Sequence, residues 1–322
     1  MKASSTFAKL AILVCTSNRK GEVERLLSKL AAGYSDLGLV LIVDSSDTDQ
    51  RLSIAEIAEI QKFNPRARFE YLQTQVKSLP GQKSLGVSKL QSMTNLEFVM
   101  FLDDDTFLPS DTALEMVQLL AKNDDLVALS GVTGLGQPEM SRLHRIFKKT
   151  FLLDSDNEGA LLSSGINIPI RTFSNILVKS EWLIGCSLWN IKDLDASRFP
   201  STLPGSALYE DVIISQSARG VGGTAVAPWL NLEHSESPAN RPNSFLHARR
   251  NQRNRYELVK MKEVPVRRFP FWWASFGLVL ESISIMTARI LRLRWRKLKD
   301  PILALSGIFV GSIDIVLTKK PR

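Results

Sequence analysis

Three carboxylates stand in a row at Asp103, Asp104 and Asp105, in the segment FLDDDTFLPSD that ends the apolar run NLEFVMFL. Adjacent negative charges repel one another and must stay in water or find a cation. Such a cluster has a chemical use when a divalent ion must be held while phosphate oxygens fill its other positions. Magnesium or manganese takes oxygen ligands and needs only one or two carboxylates beside a diphosphate. Side chains alternate along a strand, so Asp103 and Asp105 are expected on one side and Asp104 on the other, one meeting a ribose and another the metal. The competing reading is a solvated acidic turn ahead of a helix whose N-terminus favours negative charge.

Further candidates lie elsewhere in the chain. Asp44, in VDSSDTD, follows a second apolar run, a position from which an acid accepts hydrogen bonds from the base or sugar hydroxyls of a nucleoside. The alternative is an Asx or Ser turn capping the next helix. In RRNQRNRY, Arg249 and Arg253 are four apart and share a helical face that could grip a diphosphate, or serve as a solvated or headgroup-facing basic face. The two cysteines, Cys15 and Cys186, lack the spacing of a zinc site and suit a reducing compartment.

Positioning these groups requires a framework, and the first 125 residues supply one. LAILVCTS, GLVLIVDSS, RFEYLQTQ and EFVMFLDDD read as strands, each followed by a helical pattern; the last of these helices, DTALEMVQLLAKN, has Ser110 or Asp111 as its cap. Strands without polar alternation that alternate with helices predict an α/β fold with a mostly parallel sheet covered on both faces. The polar residues cluster just after the strands, the edge at which open α/β sheets bind ligands. Beyond residue 125 a strand and loop (DLVALSGVTGLG), a strand, turn and strand (EWLIGCSLWNIKDL), a helix opening at Tyr209-Glu210-Asp211 and a strand ending at His234 are expected.

The strand with Thr16-Ser17-Asn18-Arg19, then VDSSDTD, LPGQKSLGVSKL and FLDDDT resembles the nucleotide-binding half of the family 2 glycosyltransferases, over roughly residues 8 to 260. The resemblance implies a Rossmann-like GT-A fold and transfer of a sugar from a nucleotide-diphosphate donor. It places Asp44 near the nucleoside, Asp103 near the ribose or uracil side and Asp105 on the metal. The first loop (Thr16, Asn18, Arg19), Asp104 and Lys83 fall to the donor. A third Asp stands where the family has a small residue between two acids, which leaves open which acid holds the ion. The turn after the second strand also lacks the family's frequent Gly.

Glu210-Asp211 is similar to the family's Glu-Asp motif. In an inverting transfer a carboxylate takes the proton of the attacking hydroxyl, and this resemblance makes Asp211 the candidate base with Glu210 as runner-up or acceptor-orienting group. His234 sits where many relatives complete the metal site with a histidine, which would tilt the ion toward manganese. WLIGCS resembles the acceptor-side loop, with Gly185 beside Cys186 admitting a sugar; Trp182 and Trp189 either stack on that sugar or belong to the core. His144 and His247 receive no role.

The totals suit anionic partners, whether phosphates, nucleic acid or an acidic membrane surface, and charge alone does not choose among them. The chain has 322 residues, with 41 Lys and Arg against 33 Asp and Glu, a net charge of +8. No zinc-finger, helix-turn-helix or RNA-binding motif points to nucleic acid. The first apolar run is too short for a signal peptide. No stretch reaches the length of an uninterrupted membrane span, the nearest being residues 270 to 288 with Glu281 in its middle. RILRLRWRKLK interleaves basic and apolar residues, and FPFWWASF precedes it, which predicts an amphipathic helical tail on an anionic membrane surface; the rival is a tail packed on its own domain or in a dimer contact.

Domain boundaries are expected at about 125, between the nucleotide half (1–125) and the acceptor half (126–264), and at 264, before the tail (265–322). The expected protein is a cytoplasmic enzyme, peripheral on the inner face of the cell membrane, that builds surface glycans on a saccharide or lipid-linked acceptor with Mn2+ or Mg2+. The alternatives are a nucleotidyltransferase acting on sugar phosphates, for which TSNRKGE lacks a Gly-rich signature loop, and a non-catalytic basic membrane-binding module.

Overall fold

The computed structural model describes residues 8–34, 37–63, 67–134, 140–201, 203, 208–234, 243–293 and 297–317. They divide into two compact units, Met1–Gly136 with Ile170–Ala239, and Gln137–Pro169 with Asn240–Arg322. The boundary expected at 264 falls inside the second unit.

In the first unit β1 (Leu10–Thr16), β2 (Leu39–Asp44), β3 (Phe69–Gln73) and β4 (Phe98–Asp103) run parallel in the order β3-β2-β1-β4. The sheet continues through β8 (Leu188–Asn190), β6 (Leu126–Val132), β9 (Gly223–Asn231) and β7 (Val178–Lys179); β8 is antiparallel to both of its neighbours, and β6 is parallel to β9. Alternate side chains of β1 enter different cores. Leu10, Ile12 and Val14 pack with α1 (Lys20–Gly33), α2 (Ile54–Phe63) and α4 (Ser110–Lys122), while Ala11, Leu13 and Cys15 pack with α3 (Leu79–Gln91) and α6 (Glu210–Ser217). Both faces are buried, so neither has a polar residue to alternate with.

The strand–helix reading of residues 8–125 therefore stands, with local corrections. Helix α4 is preceded by Pro109 and has no side-chain cap, so neither Ser110 nor Asp111 performs that task. EWLIGCSLWNIKDL forms one strand, β8, not two, since residues 181–187 take no strand conformation. Strand pairing aligns the carboxyl ends of three strands: Thr16 lies opposite Asp44, and Cys15 opposite Asp103. A short ribbon of β5 (Thr106–Phe107) and β10 (Glu233–His234) stands beside them.

The second unit is helical: α5 (Arg142–Thr150), α7 (Ser244–Lys260), α8 (Arg268–Leu291) and α9 (Lys299–Leu317). By length and composition α8 and α9 could each cross a membrane, which corrects the expectation that no stretch is long enough. A single acid within a long apolar helix lowers the average too little to exclude it. Of the segment RILRLRWRKLK, residues 289–291 close α8 and Leu293 takes a left-handed φ of 52°, while residues 294–296 lie outside the described residues.

Candidate active site

The charges at the sheet edge are arranged by the loops that follow β1 and β4. Strand β4 ends at Asp103, so the alternation expected across Asp103 to Asp105 is lost in the turn. Asp104 is buried and accepts from the Thr16 hydroxyl at 2.8 Å and from Arg19 Nη1 at 2.5 Å. Arg19 Nη2 donates to Asp105 Oδ2 at 2.9 Å, so Asp104 and Asp105 share one guanidinium. Asp103 points elsewhere: a Cβ built on Gly185 would lie 3.7 Å from its Oδ2. Burial lifts the Asp104 carboxyl to a pKa of about 6, against the opposing pull of Arg19 and Thr16.

Asn18 joins the first two loops. Held at a left-handed φ of 56°, it donates its backbone N–H to Ser46 Oγ at 2.7 Å, and its side chain exchanges hydrogen bonds with Asp47 at 2.9 and 2.7 Å. Lys77 Nζ donates to the same Asp47 at 2.7 Å. Asp44 is buried and closes its own turn through Ser46 N–H at 2.7 Å, while Tyr71 donates its hydroxyl at 2.5 Å. The Asx-turn reading of Asp44 is thus realised, with Tyr71 added. Gln82, which no sequence pattern flagged, ties β1 to β2 by donating to the Thr16 and Val43 carbonyls at 2.8 and 3.1 Å.

Lys83, next to Gln82, is buried. Its ammonium donates to Glu210 Oε1 at 2.6 Å, approaches the Gly185 carbonyl at 3.5 Å and lies 5.1 Å from the centre of the Phe101 ring. Burial alone would depress the lysine, but Glu210 and Asp103 outweigh it and its pKa rises. Burial pushes Glu210 up against the pull of Lys83, and Glu210 Oε2 has no hydrogen-bond partner. Tyr209, just before this helix, holds a left-handed φ of 73°, an uncommon conformation for an aromatic residue.

Asp211 follows Glu210, is half-buried, and accepts from Val212 N–H at 2.8 Å in the first turn of α6. Burial, then the neighbouring Glu210, raises it to about 7. Asp211, Lys83, Phe101, Gly185, Ser187 and Trp189 line one small cavity of about 10 Å³. A carboxyl titrating near neutrality beside a glycine loop and a strand-end acid is equipped to take a proton from a bound hydroxyl.

Residues 11–185 match the family described as Glycosyl transferase family 2. The chain belongs to that family. Among solved structures this glycosyltransferase is similar to the mannosyltransferase PcManGT from Pyrobaculum calidifontis in complex with GDP-Man and Mn2+, at 13% identity and a TM-score of 0.57, covering 97% of this chain and 88% of that one. It is also similar to GalNAc-T7 with UDP, GalNAc and Mn2+, at 12% identity and a TM-score of 0.50, covering 76% of this chain and 48% of that one. At such identities the likeness is one of fold, the GT-A fold. No curated protein matches the sequence.

The glycosyltransferase gathers Thr16, Asn18, Arg19, Asp44, Lys83, Asp103, Asp104, Asp105, Gly185, Cys186, Glu210 and Asp211 in its first unit. His234 lies in β10 with its backbone opposite Thr106, the residue after Asp105. Cys186 is buried and its thiol is raised by that burial; Trp182 is half-buried, and Trp189 is core, packed against Phe101. Arg249 and Arg253 belong to the second unit, where both face Asp314: Arg249 grips it at 2.7 and 3.2 Å, and Arg253 lies 3.9 Å away. The anion shared by these two arginines is a carboxylate of this chain.

Among the described residues no three His, Cys, Asp or Glu side chains are grouped to hold a metal. The strand-end carboxylates nonetheless suit a hard divalent ion. They already share a cation, the Arg19 guanidinium, and an ion that also binds a diphosphate needs only one or two of them.

Proposed function

We propose that this glycosyltransferase moves a sugar, with inversion, from a nucleotide-diphosphate donor to a saccharide or lipid-linked acceptor in surface-glycan synthesis, with Mn2+ or Mg2+. The observation that carries the reading is the meeting of Asp103, at the end of β4, with Lys83, Gly185, Glu210 and Asp211 at the start of α6. The fold likeness to proteins solved with GDP-Man and Mn2+, or with UDP, GalNAc and Mn2+, supports the donor class and the ion.

In this reading Asp211 takes the proton of the acceptor hydroxyl as that oxygen bonds to the anomeric carbon. The bond from that carbon to the diphosphate breaks at the same time, and its electron pair leaves with the diphosphate. Glu210, fixed by Lys83 next to Asp211, orients the acceptor. Asp105 and His234 would hold the divalent ion, which when bound offsets the charge gathering on the leaving group. Asn18 and Asp44 fix the two loops against which a nucleoside would rest.

The test is a screen of nucleotide sugars for manganese-dependent binding and hydrolysis by the purified chain. One nucleotide sugar should bind in the presence of the ion and be slowly hydrolysed. Failure of every activated sugar to bind with either ion rejects the reading.

A further inference from the structure

Helices α8 and α9 are built the wrong way round for water. On α8 the large exposed apolar residues Phe269, Phe276, Ile283 and Ile290 recur every seven positions, 76%, 50%, 44% and 39% exposed. On α9 Ile302, Phe309, Ile313 and Val316 form one exposed stripe. At about 100° per residue each set lies on a single face. The opposite, buried faces are mostly small or polar: Ala274, Ser275, Gly277 and Ser282 beside one large apolar residue, Phe271, on α8, and Pro301, Gly307 and Gly311 beside Ile308 and Ile315 on α9. A helix folded onto a protein core in water keeps its large apolar residues on the buried side, whereas here most of them are exposed.

The buried faces are covered by charged helices. A Cβ on Gly307 would collide with the Phe245 carbonyl, and one on Gly311 would lie 2.9 Å from the Arg249 carbonyl, so α7 runs against α9 backbone to backbone. Arg249 and Asp314 lock that contact, and Gln252 donates to Ser275 of α8 at 2.8 Å and to Ser312 of α9 at 3.2 Å. On α8, Glu281 lies 3.0 Å from His144 and 3.6 Å from Lys148 of α5. If α8 and α9 crossed a bilayer, α5 and α7 would enter it beside them. Arg253, with 43% of its side chain exposed, would then sit at hydrocarbon depth. One such charge at the centre costs about 2.5–3.5 kcal/mol or more.

We infer that α8 and α9 lie in the plane of a membrane surface, their apolar stripes in the outer hydrocarbon and α5 and α7 on the water side, and do not span it. The occupant is a bilayer with anionic headgroups. The ends of both helices carry exposed cations, Arg267, Arg268, Arg292, Lys297 and Lys299, placed to meet phosphate as the stripes enter the interface. The stripes run the length of helices of 24 and 19 residues, a continuous surface suited to lipid.

The test uses the intact chain and preformed vesicles of phosphatidylcholine, alone or with phosphatidylglycerol. Flotation should be at least tenfold stronger with the anionic lipid. It should be lost in the double variant Phe276→Asp, Phe309→Asp, whose melting transition and circular dichroism should match the parent because both positions are exposed. Single nitroxide labels at Phe269→Cys, Ile283→Cys and Leu291→Cys should report one common shallow depth, about 5–10 Å below the headgroups. A label at 283 much deeper than those at 269 and 291 means a spanning helix and overturns the in-plane reading. Absence of flotation with the chain dimeric in solution means that a second copy covers the stripes, and it overturns the proposal, as does flotation unchanged by the two aspartates.

Discussion

Lys83 Nζ lies 2.6 Å from Glu210 Oε1, and both side chains are out of water. The pair joins α3 to α6 and fixes the helix start that carries Asp211. Removing the lysine strands a buried carboxylate, so Lys83→Met should cost about 3–5 kcal/mol, and the double variant Lys83→Met, Glu210→Leu should recover most of it. Urea denaturation of the three variants measures this. If Lys83 instead served only the nucleotide, Lys83→Met would leave stability unchanged and weaken donor binding.

Asp211→Asn keeps the shape of the side chain and removes the base. Turnover should fall by about 10² to 10⁴ while the dissociation constant for the donor stays within twofold, read by single-turnover kinetics and titration calorimetry. Because burial disfavours the charged form, the same substitution should raise the melting temperature at neutral pH. Unchanged turnover removes Asp211 from the mechanism.

The pH dependence follows from the same group. Its pKa rises from 3.8 in the unfolded chain to about 7 in the fold, and only the ionised form accepts a proton. Below about pH 7, kcat/KM should fall about tenfold per unit. The sign for stability is opposite: the native state prefers the protonated group, so its contribution is full below the unfolded value and is lost as pH rises through the folded one. A pH–rate profile beside a pH–melting profile shows both limbs.

Asp105→Ala should weaken manganese-dependent donor binding at least tenfold. Paramagnetic relaxation of water by Mn2+, with and without donor, reads this directly. Full metal dependence in the variant would move the ligand role to Asp103 or Asp104.

Gly131 lies at a register shift in the parallel pairing of β6 with β9, and a Cβ there would collide with the Leu230 carbonyl. A backbone atom in a paired strand yields little, so Gly131→Ala should cost about 1–3 kcal/mol, seen in the chemical denaturation midpoint. Alanine at Gly134, open on all sides but at a φ of 151°, serves as the comparison for backbone strain without collision.

The sequence by itself determined the strand and helix alternation of residues 8 to 125 and the carboxyl edge on which Asp44, Asp103 and Glu210-Asp211 appear. Those features arise from local periodicity and from residues adjacent in the chain, such as the uninterrupted apolar runs of β1 and β4. Tertiary structure alone decided which charges meet. Arg19 reaches Asp104 across 85 residues, Lys83 reaches Glu210 across 127, and Arg249 finds Asp314 across 65. No local pattern encodes such pairings, because a cation's partner is chosen by the packing of distant elements. The same holds for the tail: its apolar content was legible, but which stripe stays exposed depends on α5 and α7 covering the other side.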